Sequence, residues 1–478
     1  MLQISAWLAS LLVVANAGET IKPTTTPSAN CQQACTQLST IFGSAVHYPP
    51  DDNFIIWDAK QQEIHPSCRI EPINASDVAK LLNVLVGHWC YFSVKGGGHS
   101  RAAGDSNSVG GVTVDLDLLT QVEVLDNGTK ARIGGGATSI QAFQALESHN
   151  LSFVGGRVAS VGLGGFTLGG GTSPFSNKYG WALDNVFEYE VVLANGNNFA
   201  IVTAFTVRTF AQGPVFTGRT SYSPNQTEQV LDKIYDLFTD RDLTNDVDMG
   251  YDLYYGYAAG SEDFTLMGTQ RYAKPIENPP VFREIDQIPT LSRSTSIHSM
   301  SSASNGSISM GTTRNLFATL TVAPSRPLLS QGLEIFRQEV EAIKVVPGIR
   351  TNFISYPIQR TAIAAMKQRG GNALGIDIEG DEPLFIILLS TAWSDATDDA
   401  AVNTMTANAI RRIESAAQDL GVANRYKYIN YASAQQASEV FPGYGEENFQ
   451  RLKEIQNTVD PRGIFTSKGL WSGFVKLL

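Results

Sequence analysis

The chain has 478 residues, of which 43% are hydrophobic and 17% charged. That is enough apolar material for sizeable cores and too little charge for a disordered chain, and at roughly 150 residues per domain the length predicts two or three domains. A net charge of −11 argues against a nucleic-acid or anionic-membrane surface, because both require clustered positive charge.

The chain opens MLQISAWLASLLVVANAGE. Ile4 to Val14 is mostly apolar but too short to span a bilayer. Ala15-Asn16-Ala17 reads as a cleavage site, so residues 1–17 are expected to be a secretory signal peptide and the protein to be extracellular. No later apolar run is long enough for a membrane span. Sequons stand at Asn74, Asn127, Asn150, Asn225 and Asn305, consistent with glycosylation. The four cysteines, Cys31, Cys35, Cys68 and Cys90, fit no zinc-site spacing. Two disulfides are expected in an oxidising compartment, and the spacing leaves three connectivities open.

Residues 18–30 are rich in Thr, Pro and Ser and read as a flexible leader. A helix should start at Asn74-Ala-Ser-Asp, with Val78, Leu81, Leu82 and Leu85 on one face. Cys90 to Lys95 is a short apolar strand that runs into Gly96-Gly97-Gly98-His99, and Val112 to Leu116 alternates like a strand. After Gly134-Gly135-Gly136 comes a second helix, capped by Thr138 or Ser139, with Ile140, Phe143 and Leu146 on one face. The stretch GGRVASVGLGGFTLGGG follows at 155–171, then strand-like runs at Phe187 to Leu193 and Phe199 to Phe210. Beyond about residue 212, helices are expected at 226–238, 328–343 and 398–420, with strands at 315–322 and 384–390. Val402, Met405, Ala409, Ile413 and Ala416 should face inward, and Gly421 sits where a glycine ends a helix. A last helix is expected at 445–457. The chain is thus α+β, glycine-rich in its first half.

Clustered glycines mean close backbone approach or φ > 0 turns, and successive N–H groups in such turns form concave anion sites. No run spells G-x-G-x-x-G or G-x-x-x-x-G-K-[ST], which disfavours a Rossmann turn and a P-loop. Three runs separated by strands and helices point to a shared ligand. Of six histidines, no two have metal-ligand spacing on a helix, and no metal site is expected. His99 stands apart because it follows three glycines at a strand exit, within reach of whatever the turn holds. G-x-S-x-G is absent, so a nucleophile-elbow hydrolase lacks its motif.

VKGGGHSRAAGDSN resembles the flavin-attachment loop of the vanillyl-alcohol oxidase/p-cresol methylhydroxylase family, closest to its fungal berberine-bridge-enzyme-like branch. PSCRIEPINASDVAKLL, VGGRVASVGLGGFTLGGGTSPFSNKYGWALDNVFEYEVVLANG, NFAIVTAFTVRTF, RGGNALGI, YKYINYA and YGEENFQRLKEIQNTVDPRGIF match in order, so the resemblance covers nearly the whole mature chain. It implies a two-subdomain FAD-binding domain at 18–212 and a substrate domain at 213–425 with an antiparallel sheet covered by helices. It also implies a C-terminal segment, 426–478, that returns to the FAD domain. By the same resemblance His99 is the residue that bonds covalently to the flavin 8-methyl group. Lys95, Gly96, Gly97, Gly98 and Ser100, with Val161, Gly162, Gly164 and Gly165, look like the pyrophosphate loops. Asp184, Asn185, Ile201 and Val202 match positions lining FAD. Tyr428, Asn430 and Tyr431 match the Y-x-N-Y segment beside the flavin, with the two tyrosines as candidate catalytic groups. A relative's bridge implies that Cys90 pairs with Cys31 or Cys35, and Cys68 with the other.

The chain departs from the family twice. Many relatives form a second covalent flavin link through a Cys in the stretch aligned with 157–161, which here reads Arg-Val-Ala-Ser-Val. Attachment should therefore be through His99 alone, and a sugar substrate, which usually accompanies the double link, is disfavoured. Relatives also carry a strand and a helix after the position of Gly196, whereas this chain runs directly through ANGNNF. Asn-Gly between two strand-like runs is a hairpin turn, so the flanking runs should pair and leave apolar surface uncovered nearby. The expected function is a secreted FAD-linked oxidase. It would pass a hydride from a small organic substrate, a secondary metabolite, to the flavin, with dioxygen as acceptor. An oligosaccharide oxidase and a catalytically silent flavin-fold protein are the alternatives. The oligomeric state is open.

Overall fold

Val112–Asp115 is buried at all four positions, rather than alternating as the sequence pattern suggests, because it is an inner strand of a mostly parallel sheet covered on both faces. In the computed structural model, which describes residues 28–50, 53–193, 200–306, 310–376, 380 and 382–477, this sheet is ordered Val46–His47, Cys68–Ile70, Val112–Asp115, Phe92–Lys95. The first contact is antiparallel and the other two parallel. The expected signal peptide lies outside the described residues.

Helix Ala75–Gly87 starts as expected, with the Asn74 side chain accepting from the Asp77 N–H at 2.9 Å. Val78, Leu81, Leu82 and Leu85 are fully buried. Helix Ala29–Phe42 packs beside it and buries Cys31, Ala34, Cys35 and Leu38. Cys31 bonds to Cys90 and Cys35 to Cys68, one of the two pairings the family resemblance allows. The two cysteines one turn apart thus fasten this helix to the entrances of two strands.

The second sheet is antiparallel: Val122–Leu125, Lys130–Gly134, Ala200–Ala211 and Leu151–Phe153 in order, with Val186–Leu193 also paired to Ala200–Ala211. The two runs flanking the shortened join therefore do pair, while the expected Asn-Gly turn falls at 194–199, outside the described residues. Helix Ser139–Glu147 covers this sheet and is capped by Thr138 with Gln141 in a reciprocal box.

The third sheet has eight antiparallel strands, ordered Thr290–His298, Val215–Tyr222, Thr265–Tyr272, Met249–Ala258, Arg350–Ile358, Leu384–Trp393, Arg314–Val322, Ala423–Asn424. Helices Thr227–Thr239, Arg326–Glu341 and Asp399–Asp419 share its core. Val402, Met405, Ala409 and Ile413 are buried as expected, and Ala416 is partly buried. Gly421, at φ 68°, ends the last of these helices, its N–H on Gln418 O and the Val422 N–H on Ala417 O, both at 2.9 Å.

Two segments tie the sheets together around the site. The chain end runs along the first sheet, with Phe92 N–H on Leu470 O (2.9 Å) and Ser472 N–H on Phe92 O (2.8 Å). Near the other end of the chain, Asp58 bridges to Thr313, and its carboxylate accepts from the Asn315 N–H at 2.9 Å.

Candidate active site

Between the three sheets lies a cavity of about 830 Å³, a size suited to a large cofactor or ligand. Gly96, Gly97, Gly98, His99 and Ser100 line it, with Val161, Gly162, Gly164 and Gly165 on an adjoining turn. Ile201 and Val202 line it from the second sheet, and Tyr428, Asn430 and Tyr431 from the C-terminal segment. Tyr254, Arg271, Asn315 and Phe317 face the same space from the third sheet.

The glycines are there for backbone contact. A Cβ built on Gly162 would fall on the Gly97 nitrogen, and one on Gly97 would lie 2.5 Å from the Gly162 Cα, so the two turns touch main chain to main chain. Gly164 likewise leaves room for the Gly135 carbonyl, whereas a Cβ on Gly165 would meet nothing within 4 Å. The turn is anchored from below, with Ser139 N–H on Val161 O (2.9 Å) and Leu163 N–H on Ala137 O (2.8 Å). In the run Gly134-Gly135-Gly136 only Gly135 reaches the cavity; the run mainly lets strands cross, since a Cβ on Gly136 would strike the Leu116 carbonyl.

His99 lies flat on Trp57, ring centroids 4.5 Å apart and planes 13° from parallel. Its Nε2 is 2.8 Å from Ser160 Oγ. Burial, with the Arg101 charge nearby, pushes its pKa down to about 3, so the imidazole is neutral. Arg101 donates to the carbonyls of His99 (3.2 Å) and Asn430 and lies over the Phe317 ring at 4.0 Å. It therefore couples the glycine loop to the C-terminal segment.

The two candidate tyrosines differ. The Tyr428 hydroxyl oxygen accepts from the N–H groups of Gly171 (3.2 Å) and Thr172 (3.1 Å) and from Asn430 Nδ2 (3.0 Å). Tyr428 is 1% exposed, and burial pushes its pKa up to about 12. Tyr431 is half-buried. Phe317 and Tyr356 meet its ring edge-on at 5.7 and 6.0 Å, and Tyr428 at 4.7 Å. Next to it, Arg157 donates to Thr172 Oγ1 at 2.8 Å and lies over Tyr356. Arg157 also stands 3.9 Å from the Asp252 carboxylate, which Arg271 contacts directly. Burial acts to raise the Asp252 pKa, but the two guanidiniums outweigh it and the net shift is downward.

Three expected residues lie elsewhere. Lys95 is buried in ion pairs with Asp115 (3.0 Å) and Asp117 (2.6 Å). Asp184 accepts from the Trp181 N–H (2.7 Å) and Asn372 Nδ2 (2.8 Å). Asn185 donates to the carbonyls of Tyr179 and Trp181, both at 2.8 Å. None of the three side chains is part of the cavity wall; each braces the main chain that shapes it. Trp57, Arg101, Arg157 and Tyr254 also join the wall; Arg101 and Arg157 lie within the matching motifs but are not singled out by them, whereas nothing in the local sequence marks Trp57 or Tyr254.

Comparison with known proteins agrees with this geometry. Residues 66–200 match the family described as FAD binding domain, and residues 427–468 the one described as berberine and berberine like. The FAD-dependent monooxygenase tpcD of Cochliobolus heterostrophus is 31% identical, over 93% of this chain and 94% of its own length. The chain belongs to the berberine-bridge-enzyme-like FAD oxidoreductases. Its fold is that of the xylooligosaccharide oxidase of Myceliophthora thermophila, at a TM-score of 0.71 and 18% identity over 94% of this chain and 99% of that one. The glucooligosaccharide oxidase of Acremonium strictum, described as carrying a 6-S-cysteinyl, 8α-N1-histidyl FAD, has a TM-score of 0.68 at 17% identity over 94% of this chain and 99% of its own.

The residues of this oxidoreductase fit FAD. The exposed Gly165 leaves its side of the turn open, and the N–H groups of Gly97, Gly98 and His99 have no hydrogen-bond partner among the described residues. Such a concave set of free amides suits a pyrophosphate. The oxidoreductase has no thiol for a second link, since all four of its cysteines are in disulfides.

Proposed function

We propose that the enzyme is a secreted oxidase that holds one FAD covalently through His99 and oxidises a small organic substrate, a secondary metabolite, with dioxygen as electron acceptor. The observation that carries this reading is the meeting of a neutral, cavity-facing His99, two glycine turns and Tyr431 on one cavity. Bound flavin supplies the hydride-accepting chemistry. The free main-chain N–H groups of Gly97, Gly98 and His99 hold the pyrophosphate against the open Gly165 side of the neighbouring turn, and Ile201 and Val202 wall the same cavity. Tyr431 takes the substrate proton, while Tyr428, its oxygen already engaged by three N–H donors, fastens the Gly171–Thr172 turn. The substrate lies against the third sheet, between Tyr254, Arg271 and Phe317.

Secretion is supported by the two disulfides and by the exposure of all five sequon asparagines. Among the described residues no helix is long and apolar enough to cross a membrane. The test of the link is acid precipitation. Wild-type protein should keep its flavin in the pellet, and the His99→Ala variant should release whatever it binds; flavin retained by the variant refutes the assignment. A substrate screen read by peroxide release then tests the oxidase reading. A second reading, in which one oxygen atom enters the product, is favoured by the description of the 31% identical relative as a monooxygenase. One peroxide per substrate oxidised supports the first reading, and label from ¹⁸O₂ in the product supports the second.

A further inference from the structure

His99 is fixed by two side chains that the hydride chemistry does not use. Trp57 lies flat against one face of the imidazole, and Ser160 Oγ sits 2.8 Å from Nε2. Among the described residues Nδ1 has no hydrogen-bond partner. A neutral imidazole carries its hydrogen on one nitrogen and a nucleophilic lone pair on the other, and the hydrogen bond made by one nitrogen decides which. A serine hydroxyl can accept that hydrogen and can also donate.

We propose that Ser160 and Trp57 are positioning residues for flavin attachment: Ser160 Oγ accepts the Nε2 hydrogen, which leaves the Nδ1 lone pair to bond the flavin 8-methyl carbon, while Trp57 holds the ring plane. The proposal rests on the His99 link of the preceding section. The net step forms one N–C bond, removes one hydrogen from the methyl group and one from the imidazole, and passes two electrons and two protons to dioxygen as hydrogen peroxide. The Nε2 proton leaves along the Ser160 hydrogen bond, whose direction then reverses, with Ser160 donating to Nε2. Trp57 arrives from a segment locked by its neighbours, since its carbonyl accepts from the Gly311 N–H at 3.0 Å and Asp58 bridges to Thr313. The stack on His99 is therefore held from both sides of the cavity.

The test uses full-length chain from riboflavin-limited cells, incubated with FAD in air-saturated buffer. Attached flavin is read as fluorescence of acid-precipitated protein, and reversible FAD binding by fluorescence quenching. Ser160→Ala should attach flavin at least about 10-fold more slowly, a loss on the scale of proton-transfer assistance, with FAD affinity within about twofold of wild type. Ser160→Thr, which keeps the hydroxyl, should restore the rate. Trp57→Phe should stay near wild type and Trp57→Ala should slow attachment. Oxygen removal should stop attachment in every variant. A Ser160→Ala rate equal to wild type, or one reduced only in proportion to FAD binding, overturns the proposal and leaves the His99 link standing. Should Ser160→Ala fail to fold, a Trp57→Ala rate equal to wild type overturns the stacking role. Wild-type protein that never attaches flavin overturns the link itself, and the proposal with it.

Discussion

Gly162 and Gly165 are three residues apart on one turn, and alanine at each should have opposite effects. Gly162 has φ −68° and ψ 131°, a backbone open to any residue, so alanine carries no conformational penalty there. Its obstacle is the neighbouring turn, because the new Cβ would fall on the Gly97 nitrogen and 2.6 Å from the Gly97 Cα. Both partners are main chain, and neither can rotate away. Forcing one methyl into such a contact costs about 1–3 kcal/mol, a sizeable part of the roughly 5–15 kcal/mol of a folded domain. At Gly165 a Cβ meets nothing within 4 Å, and the position lies inside the short helix Leu163–Leu168, where alanine is favoured over glycine by up to about 1 kcal/mol. Gly165→Ala should therefore leave the flavin-free protein as stable as wild type or slightly more so. Its methyl group, however, enters the space assigned to the pyrophosphate, and FAD affinity should fall by about tenfold, or ~1.4 kcal/mol. Thermal melts of flavin-free protein and fluorescence titration with FAD separate the two effects. An unchanged melt for Gly162→Ala would mean that the turns part freely. Unchanged FAD affinity for Gly165→Ala would mean that this turn is not the cofactor's seat.

Tyr428→Phe leaves three N–H donors without their acceptor, so it should lower stability by about 1–3 kcal/mol in a melt. Tyr431→Phe should melt like wild type but lose about 10²–10⁴ in kcat if it handles the substrate proton; the reverse pattern would exchange their roles. Asp252→Asn leaves Arg157 and Arg271 facing each other without a carboxylate, and should cost about 3 kcal/mol at neutral pH. Because the folded-state Asp252 pKa is depressed, its stabilisation is present above the ordinary carboxylate value of about 4. It is lost as the pH falls through the lower folded value, so the difference between wild type and variant should narrow in acid melts and not in alkaline ones. Peptide mapping without reduction should find Cys31 joined to Cys90 and Cys35 to Cys68. Reducing either bridge should cost about 4 kcal/mol by the chain-entropy relation for loops of 59 and 33 residues, read as a lowered melting midpoint.

Helices with wide apolar stripes were legible in the sequence, and those with thin ones were not. Ala75–Gly87 buries Val78, Leu81, Leu82 and Leu85, an unmistakable face. Ala29–Phe42 buries two cysteines, an alanine and a single leucine, so its periodicity is hidden until the disulfides are known. Strand Thr290–His298 is not legible in the sequence because, as an edge strand, it exposes almost every residue and shows no alternation to read. The site divides in the same way. His99, the glycine turns and Tyr431 belong to contiguous motifs that the chain announces locally. Trp57 and Arg157 acquire their roles only when distant segments meet, one on the His99 ring and the other beside Asp252 of the third sheet. Lys95, Asp184 and Asn185 mark the reverse case, since they lie in the matching motifs while their side chains brace the loop rather than line the cavity.

The shortened join bears on stability more than on the site. Val186–Leu193 pairs directly with Ala200–Ala211, and the longer strand is also held by Lys130–Gly134 on its other side. Ile201 and Val202 reach the cavity wall from this doubly held strand. Val192 and Ile201 pack into the core that includes helix Ala75–Gly87, so the inner face is covered. The outer face is not, with Phe187 42%, Val191 37% and Leu193 38% exposed. Burying such a side chain fully is worth about 1.5–3 kcal/mol, so three of them, each more than a third open, forgo a few kcal/mol together. Lys130 and Arg208 recover part of this by lying over the Phe187 ring at 4.9 and 4.8 Å, where their aliphatic stems shield it while their charges stay in water. The exposed surface thus lies on the solvent side of the strand pair, and the residues that face the cavity keep their packing.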